Sequence, residues 1–265
     1  MLTVRLRSMD IRVETSGDPY GEAFWKSIEN QNYEPDTLSF IENNVSSDCI
    51  FMDIGAANGA MTLIAAQYAK NVFAYEPDPK MFSILSRNVE LNTSTSKKVF
   101  LKNVGISNTI TKIEFSKRSD KSIFSSIVVG NDNKSGDIID VLSLKEELES
   151  INSQKDRIII KMDIEGAEWR ILNDQLVLQE LKSCHATVLL AVHPGFYRPH
   201  IKLMRGFDKL SLLFWQARNY LESLRTFKKL DLYCEIKRTN LNPVRNPRSF
   251  ATLVFGGYHE FILKF

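Results

Sequence analysis

"FMDIGAANGAM", residues 51–61, is the stretch on which the fold reading turns: an apolar-leaning run reaches Asp53, and a turn holding Gly55, Gly59 and three alanines leads straight into "MTLIAAQYA". A buried strand that gives way to a helix across so bare a turn is the first strand-to-helix junction of an open α/β sheet, where ligands bind beyond the carboxyl ends of the strands. Small residues let the backbone approach a ligand closely, and the helix start offers unpaired N–H groups. Working outward, further β-rich runs are "NVFAYEP" (71–77), "KVFLKNVGIS" (98–107), "DRIIIKMDIEG" (156–166) and "ATVLLAVHPG" (186–195). Helical patterns lie between several of them: "AMTLIAAQYA", "KMFSILSRNVELN" and "AEWRILNDQLVLQELKS". Strands alternating with helices of that length predict a parallel sheet covered on both faces.

The flanks read differently. Residues 1–45 form a polar preface: "VRLRSMDIRVET" alternates as a strand or hairpin, "DPYGEAFWKSIEN" as a turn and short helix, and "EPDTLSFIENNV" as a helix start. Residues 46–265 then hold the α/β domain. Within it "KIEFSKRSD", "SSIVVGNDN" and "GDIIDVLSL" predict extra strands, and about 197–230 is a basic amphipathic helical insertion. "DLYCEIKRTN" and "SFATLVFGGYHEFILKF" read as two closing strands joined by a proline-containing loop.

A chain of 265 residues, 43% hydrophobic, can bury one substantial core. An amino-terminal signal pattern and a long apolar run are both missing from the sequence, which reads as a soluble cytoplasmic protein without a membrane span. Cys49, Cys184 and Cys234 are odd in number and widely spaced, so they read as buried thiols rather than a disulfide framework or zinc site. Net charge is +2, yet Tyr197 to Ser249 holds twelve Lys and Arg against four acids. That stretch is either a solvated helical face or a lip attracting an anionic ligand.

The loop chemistry narrows the ligand. Asp53, Gly55 and Gly59 fall at DxGxxxG, and the next strand ends in Glu76, where an acid can accept hydrogen bonds from both hydroxyls of a ribose. A dinucleotide site wants GxGxxG around a pyrophosphate, which Asp53 would repel. Asp53 suits a ligand with a cationic end, and S-adenosylmethionine carries a sulfonium and an ammonium there. The loop therefore selects a methyl donor over NAD.

"FMDIGAANGAMTL", "VFAYEPDP", "IIIKMDIEGAEWRIL" and "LLAVHPGF" together resemble, in that order, the motifs of the FkbM family of class I methyltransferases, "KMDIEGAE" being the most specific. The resemblance runs from about Tyr33 to Phe196, with Ala57 standing where members commonly carry Asn. It implies a Rossmann-like α/β fold whose seven-stranded, mostly parallel sheet has an antiparallel last strand and helices on both faces. It also implies S-adenosylmethionine as donor, S-adenosylhomocysteine as product, and O-methylation of a sugar, glycan or natural product.

On that footing Asp53, Gly55, Ala56, Asn58 and Gly59 bind the donor, Glu76 its ribose, Pro77 and Asp78 the adenine side, and Val104 and Gly105 close over the base. Glu34 either folds over the donor or is a helix-start acid favoured by the dipole. Asp163, Glu165 and His193, at the fourth and fifth strand ends, face the acceptor. Asp163 and His193 position or deprotonate its hydroxyl. Glu168 fits a helix-dipole role as well as a site role. A competing Mg²⁺ reading puts Asp163 and Glu165 on the ion, although their spacing does not enforce that geometry. The basic stretch would draw a phosphate-, uronate- or nucleotide-linked acceptor. RNA ribose methylation and a non-catalytic donor-binding scaffold are the rival readings; nucleic acid is the weaker of the partner classes because no RNA-binding module is evident. A homodimer is compatible with the sequence.

Overall fold

The computed structural model describes residues 1–6, 9–117, 125–127, 137–151, 156–164, 168–192, 220–240, 242–255 and 260–265. The preface opens with an antiparallel hairpin, β1 (Leu2–Leu6) and β2 (Met9–Val13), whose alternation turns Val4, Leu6, Ile11 and Val13 inward. Helices α1 (Gly21–Glu29) and α2 (Pro35–Asn44) follow, the second opened by Pro35, whose missing N–H costs nothing at a helix start. Then come β3 (Cys49–Ile54), α3 (Ala60–Tyr68), β4 (Asn71–Tyr75), α4 (Pro79–Glu90) and α5 (Thr93–Ser96). Strands β5 (Val99–Lys102), β6 (Gly105–Ser107), β7 (Thr111–Lys117), β8 (Ser125–Ile127) and β9 (Asp137–Ser143) lead to α6 (Leu144–Ile151). β10 (Arg157–Met162), α7 (Glu168–Leu172), α8 (Gln175–Ser183) and β11 (Thr187–Ala191) complete the parallel part. A helix over residues 220–230 (α9), β12 (Glu235–Arg238), α10 (Pro247–Phe255) and β13 (Glu260–Lys264) close the described chain.

The central sheet has seven strands in the order β12-β13-β11-β10-β3-β4-β5. The run from β11 to β5 is parallel, and β13 is antiparallel to both neighbours, as expected for the last strand. All six residues of β3 are buried, because this central strand is covered on both faces. Ile50, Met52 and Ile54 join one core with Trp169, Leu178 and Phe250. Cys49 and Phe51 join the other with α3 and with Trp25, Ile28 and the hairpin's inward residues, so the preface packs into the core of the sheet.

Three expectations change in detail. "KVFLKNVGIS" is two strands: Asn103 turns the chain by donating its Nδ2 to the Glu76 carbonyl at 2.7 Å, and β6 then enters a separate sheet ordered β6-β9-β7-β8. "AEWRILNDQLVLQELKS" is two helices, because Asp174 Oδ1 accepts from Leu176 and Val177 N–H and starts α8 afresh. "SFATLVF" belongs to α10 rather than to a strand. Pro247 sits at its first position, Asn246 Oδ1 accepts from Ser249 N–H at 2.8 Å, and Phe250, Ala251 and Val254 turn inward at helical spacing.

Candidate functional site

The carboxyl ends of β3, β4 and β10 meet at the turn after β3. Gly55 has φ +85°, and a Cβ there would sit 1.9 Å from the Asp163 carbonyl oxygen, so the turn lies directly against the end of β10. Gly55 and Ala56 N–H both donate to the Tyr75 carbonyl, Ala57 takes φ 50°, and Gly59 at φ +89° starts α3. A cleft of about 1010 Å³ of unfilled space, its open mouth included, lies in front of this turn.

Glu76 sits on the cleft wall at the end of β4. Its Oε2 accepts from Ala57 N–H and its Oε1 from Asp78 N–H, both at 2.8 Å. Burial pushes the carboxyl up to about 7, against the pull of those two N–H groups. Asp78 in turn caps α4 through Lys80 N–H. Pro77, Asp78, Val104, Gly105, Ala56, Asn58, Glu34 and Asp163 all line the same cleft.

Two predicted loop residues lie behind that lining. Gly59 is held against Leu85. Asp53 is fully buried, its Oδ2 accepting from the Thr62 hydroxyl at 2.6 Å while Oδ1 has no hydrogen-bond partner. Burial holds the Asp53 carboxyl above its usual range, countered by Lys161. The register explains the pair: Asp53 and Lys161 are directly opposite on β3 and β10, and so share a face. Glu165 and His193 lie outside the described residues, as do residues 197–219 of the basic stretch. Its described part, α9, is amphipathic, with Arg225 and Lys228 outward and Phe227 and Leu230 buried.

Lys161 also lines the cleft, and the sequence reading did not single it out. Its Nζ donates to the Gly55 carbonyl at 3.1 Å and stands 3.6 Å from Asp163 Oδ2 and 3.8 Å from Asp53 Oδ1. Burial alone would lower this lysine, but Asp163 and Asp53, with Glu34 and Glu76 behind them, hold it above the ordinary range. A lysine inside "RIIIKM" was the available signal, since a charge in an otherwise buried strand needs partners. Also missed were Tyr20, Phe24 and Tyr33, which line the cleft. Burial, then the Glu34 carboxylate, pushes the Tyr33 phenol well above its usual value.

Glu260 pairs with Ala191 across β11 and β13, which puts it at the same end of the sheet. Burial, then Glu34, Asp36 and Asp163, push its carboxyl up to about 7. Glu168 is fully buried and accepts from Ile164 N–H at 3.3 Å. Among the described residues there is no group of three His, Cys, Asp or Glu placed to hold a metal ion, and no helix long and apolar enough to cross a membrane.

A family model described as the methyltransferase FkbM domain matches residues 53–222. Among solved structures the chain is similar to the methyltransferase FkbM from Methylobacillus flagellatus KT, at 16% identity over 91% of this chain and 53% of that one, with a TM-score of 0.48. It thus spans about half the length of that protein. It is also similar to a precorrin-6y C5,15-methyltransferase from Geobacter metallireducens GS-15, at 15% identity over 76% of this chain and 70% of that one, TM-score 0.38. A third is an rRNA methylase from Streptococcus thermophilus, at 10% identity over 86% and 91%, TM-score 0.37. No curated protein sequence matches the chain.

Proposed function

Since the chain belongs to the FkbM methyltransferase family, we propose that it moves a methyl group from S-adenosylmethionine to a hydroxyl of a sugar, glycan or natural product. The observation that carries this reading is the meeting, in one cleft, of the bare turn at Gly55–Asn58, the Glu76 carboxylate and Asp163. The residues suit the donor. Each Glu76 oxygen accepts one backbone N–H and keeps a second lone pair for a ribose hydroxyl. Asn58 and Ala56 present the turn itself, while Pro77, Asp78, Val104 and Gly105 flank the side on which the base would lie.

When bound, the donor supplies a methyl group on a positively charged sulfur. The chain's own part is to hold the acceptor oxygen in line with it. Asp163 accepts the acceptor's hydroxyl proton in a hydrogen bond and so aims the oxygen, and Lys161, 3.6 Å away, fixes that carboxylate in place. Positioning of this kind supplies about 7–11 kcal/mol of a barrier. A general base adds ~10²- to 10⁴-fold, a part we give to Asp163 or His193. The basic stretch after Phe196 draws acceptors carrying phosphate, uronate or nucleotide groups.

The test begins with calorimetric titration by S-adenosylhomocysteine, with NAD as control. Binding lost in Glu76→Ala and absent for NAD supports the donor; no binding by the folded wild type rejects it. Glycan and nucleotide-sugar acceptors are then screened by product release. Asp163→Asn is expected to slow transfer by ~10²-fold or more with donor affinity intact; a loss of donor affinity instead would take Asp163 out of the catalytic role.

A further inference from the structure

Residues 18–34 precede the matched domain, yet they form one side of the cleft. Tyr20, Phe24 and Tyr33 line it as a packed aromatic set: the Tyr20 and Phe24 ring centroids are 4.9 Å apart, and Phe24 meets Tyr33 at 4.7 Å and 70°. Phe24 also meets the buried Trp25 edge-on at 5.3 Å. Such pairs fix ring orientation. The turn that delivers Tyr33 is held in left-handed backbone at Gln31 (φ 56°) and Glu34 (φ 43°), conformations that non-glycine residues adopt where surrounding structure imposes them.

One side chain ties this wall to the turn after β3. Asp18 is 7% exposed, and its carboxylate accepts three hydrogen bonds from three places. Oδ1 takes Tyr20 N–H at 2.9 Å, and Oδ2 takes both Trp25 Nε1–H at 3.1 Å and Asn58 Nδ2–H at 3.1 Å. Asn58 is itself 1% exposed, lies in the turn, and has its carbonyl held by Asn88 Nδ2 at 2.8 Å. Asp18 thus receives donors from the start of the wall, the buried indole behind it and the ligand-facing turn.

We propose that residues 18–34 are a working part of the donor site and that Asp18 is its positioning residue, holding Asn58, and through it the Ala57–Gly59 backbone, in the conformation that receives the donor. The inference rests on the donor reading above. Asp18 does not line the cleft and acts through Asn58. Without its carboxylate, the Asn58 amide and the Trp25 indole lose a shared buried acceptor, and the wall and the turn become free to move apart.

The experiment titrates S-adenosylhomocysteine into wild type, Asp18→Asn and Asn92→Ala, with denaturant unfolding of each. Asn92 is the control: it anchors the hairpin to α4 through Arg12 N–H and C=O, and within α4 its Nδ2 meets the Asn88 backbone carbonyl and leaves alone the Asn88 side-chain amide that holds Asn58. Both variants are expected to lose stability, but the dissociation constant rises about tenfold in Asp18→Asn and stays within about twofold in Asn92→Ala. Trp25→Phe keeps an aromatic ring and removes one donor to Asp18; it is expected to weaken binding ~3-fold and serves if Asp18→Asn does not fold. Saturating ligand should shift the indole emission of wild type, a change absent in Trp25→Phe and abolished in Asp18→Asn while ligand still binds. Unchanged affinity in Asp18→Asn, or in Trp25→Phe should the former not fold, would overturn the proposal, as would equal losses in Asn92→Ala or a wild-type emission that ignores the ligand. A folded wild type that binds no S-adenosylhomocysteine would remove the donor reading itself, and this proposal with it.

Discussion

Glu76 combines two opposed effects, and its behaviour with pH follows from their balance. The carboxyl is raised from 4.5 to about 7, chiefly by burial, with Asp78 adding to the rise and Lys161 opposing it. A group raised on folding contributes stability that is fully present below its unfolded value and lost as pH climbs through the folded one, so the free protein weakens between pH 4.5 and about 7. Donor binding runs the other way, because ribose hydroxyls need the ionised acceptor. Affinity for S-adenosylhomocysteine is therefore expected to fall ~10-fold from pH 8 to pH 6. Glu76→Gln should bind weakly and without that slope, whereas Glu260→Gln, whose carboxyl is raised into the same window, should keep it. A slope that survives Glu76→Gln would assign the titration elsewhere. At Gly55 the constraint is steric: an alanine there combines φ +85° with a 1.9 Å approach to backbone, so Gly55→Ala should abolish folding or donor binding. Gly21→Ala, at φ +67° with open space around its Cβ, should cost only about 1–2 kcal/mol by urea denaturation. Gly55, Glu76 and Asp163 were legible because strand ends and spacing mark them in one local stretch each. Lys161 and Asp18 were not, since what matters about them is a partner, 108 residues distant for Lys161 (Asp53) and 40 for Asp18 (Asn58), brought close by register and packing.

At the scale of elements, periodicity located most strands and helices, and capping decided where the reading slipped. "AEWRILNDQLVLQELKS" has a continuous helical pattern, but Asp174 offers Oδ1 to two N–H groups of α8 and Oδ2 to Asn108 Nδ2 at 3.0 Å. The chain breaks there because a capped restart satisfies donors that a continuous helix would leave Asp174 competing for. Asp174→Ala is expected to cost about 1–2 kcal/mol, seen as a lower urea midpoint at unchanged slope. A cost near zero would mean that solvent satisfies the start of α8 equally well. "SFATLVF" misled for the opposite reason. Its β-branched and aromatic residues favour a strand, whereas Asn246 and Pro247 initiate a helix that sets the Phe250 ring, tilted, against Phe227 at 5.6 Å and Phe261 at 4.8 Å. Local initiation and burial outweighed propensity.

At the scale of the whole molecule, the preface and the sheet share a core, which has a consequence for cooperativity. Hairpin residues Val4, Leu6, Ile11 and Val13 pack in the same cluster as Phe51 of β3 and Leu63 of α3. The hairpin's free edge is also tied down, since Arg12 and Glu14 N–H donate to the Asn92 and Asn88 side chains of the α4 region at 3.0 and 2.8 Å. Elements joined by shared burial and by backbone hydrogen bonds open together, not one at a time. A ligand that binds the native state stabilises every amide that exchanges through global opening by the same factor, ~100-fold at a hundred times its dissociation constant. Hydrogen exchange with and without S-adenosylhomocysteine should accordingly slow the amides of β2 as much as those of β3, although β2 lies outside the matched domain. Slowing confined to β3 and its neighbours would mean that the hairpin opens on its own, and that the first residues of the chain cover the sheet without sharing its stability.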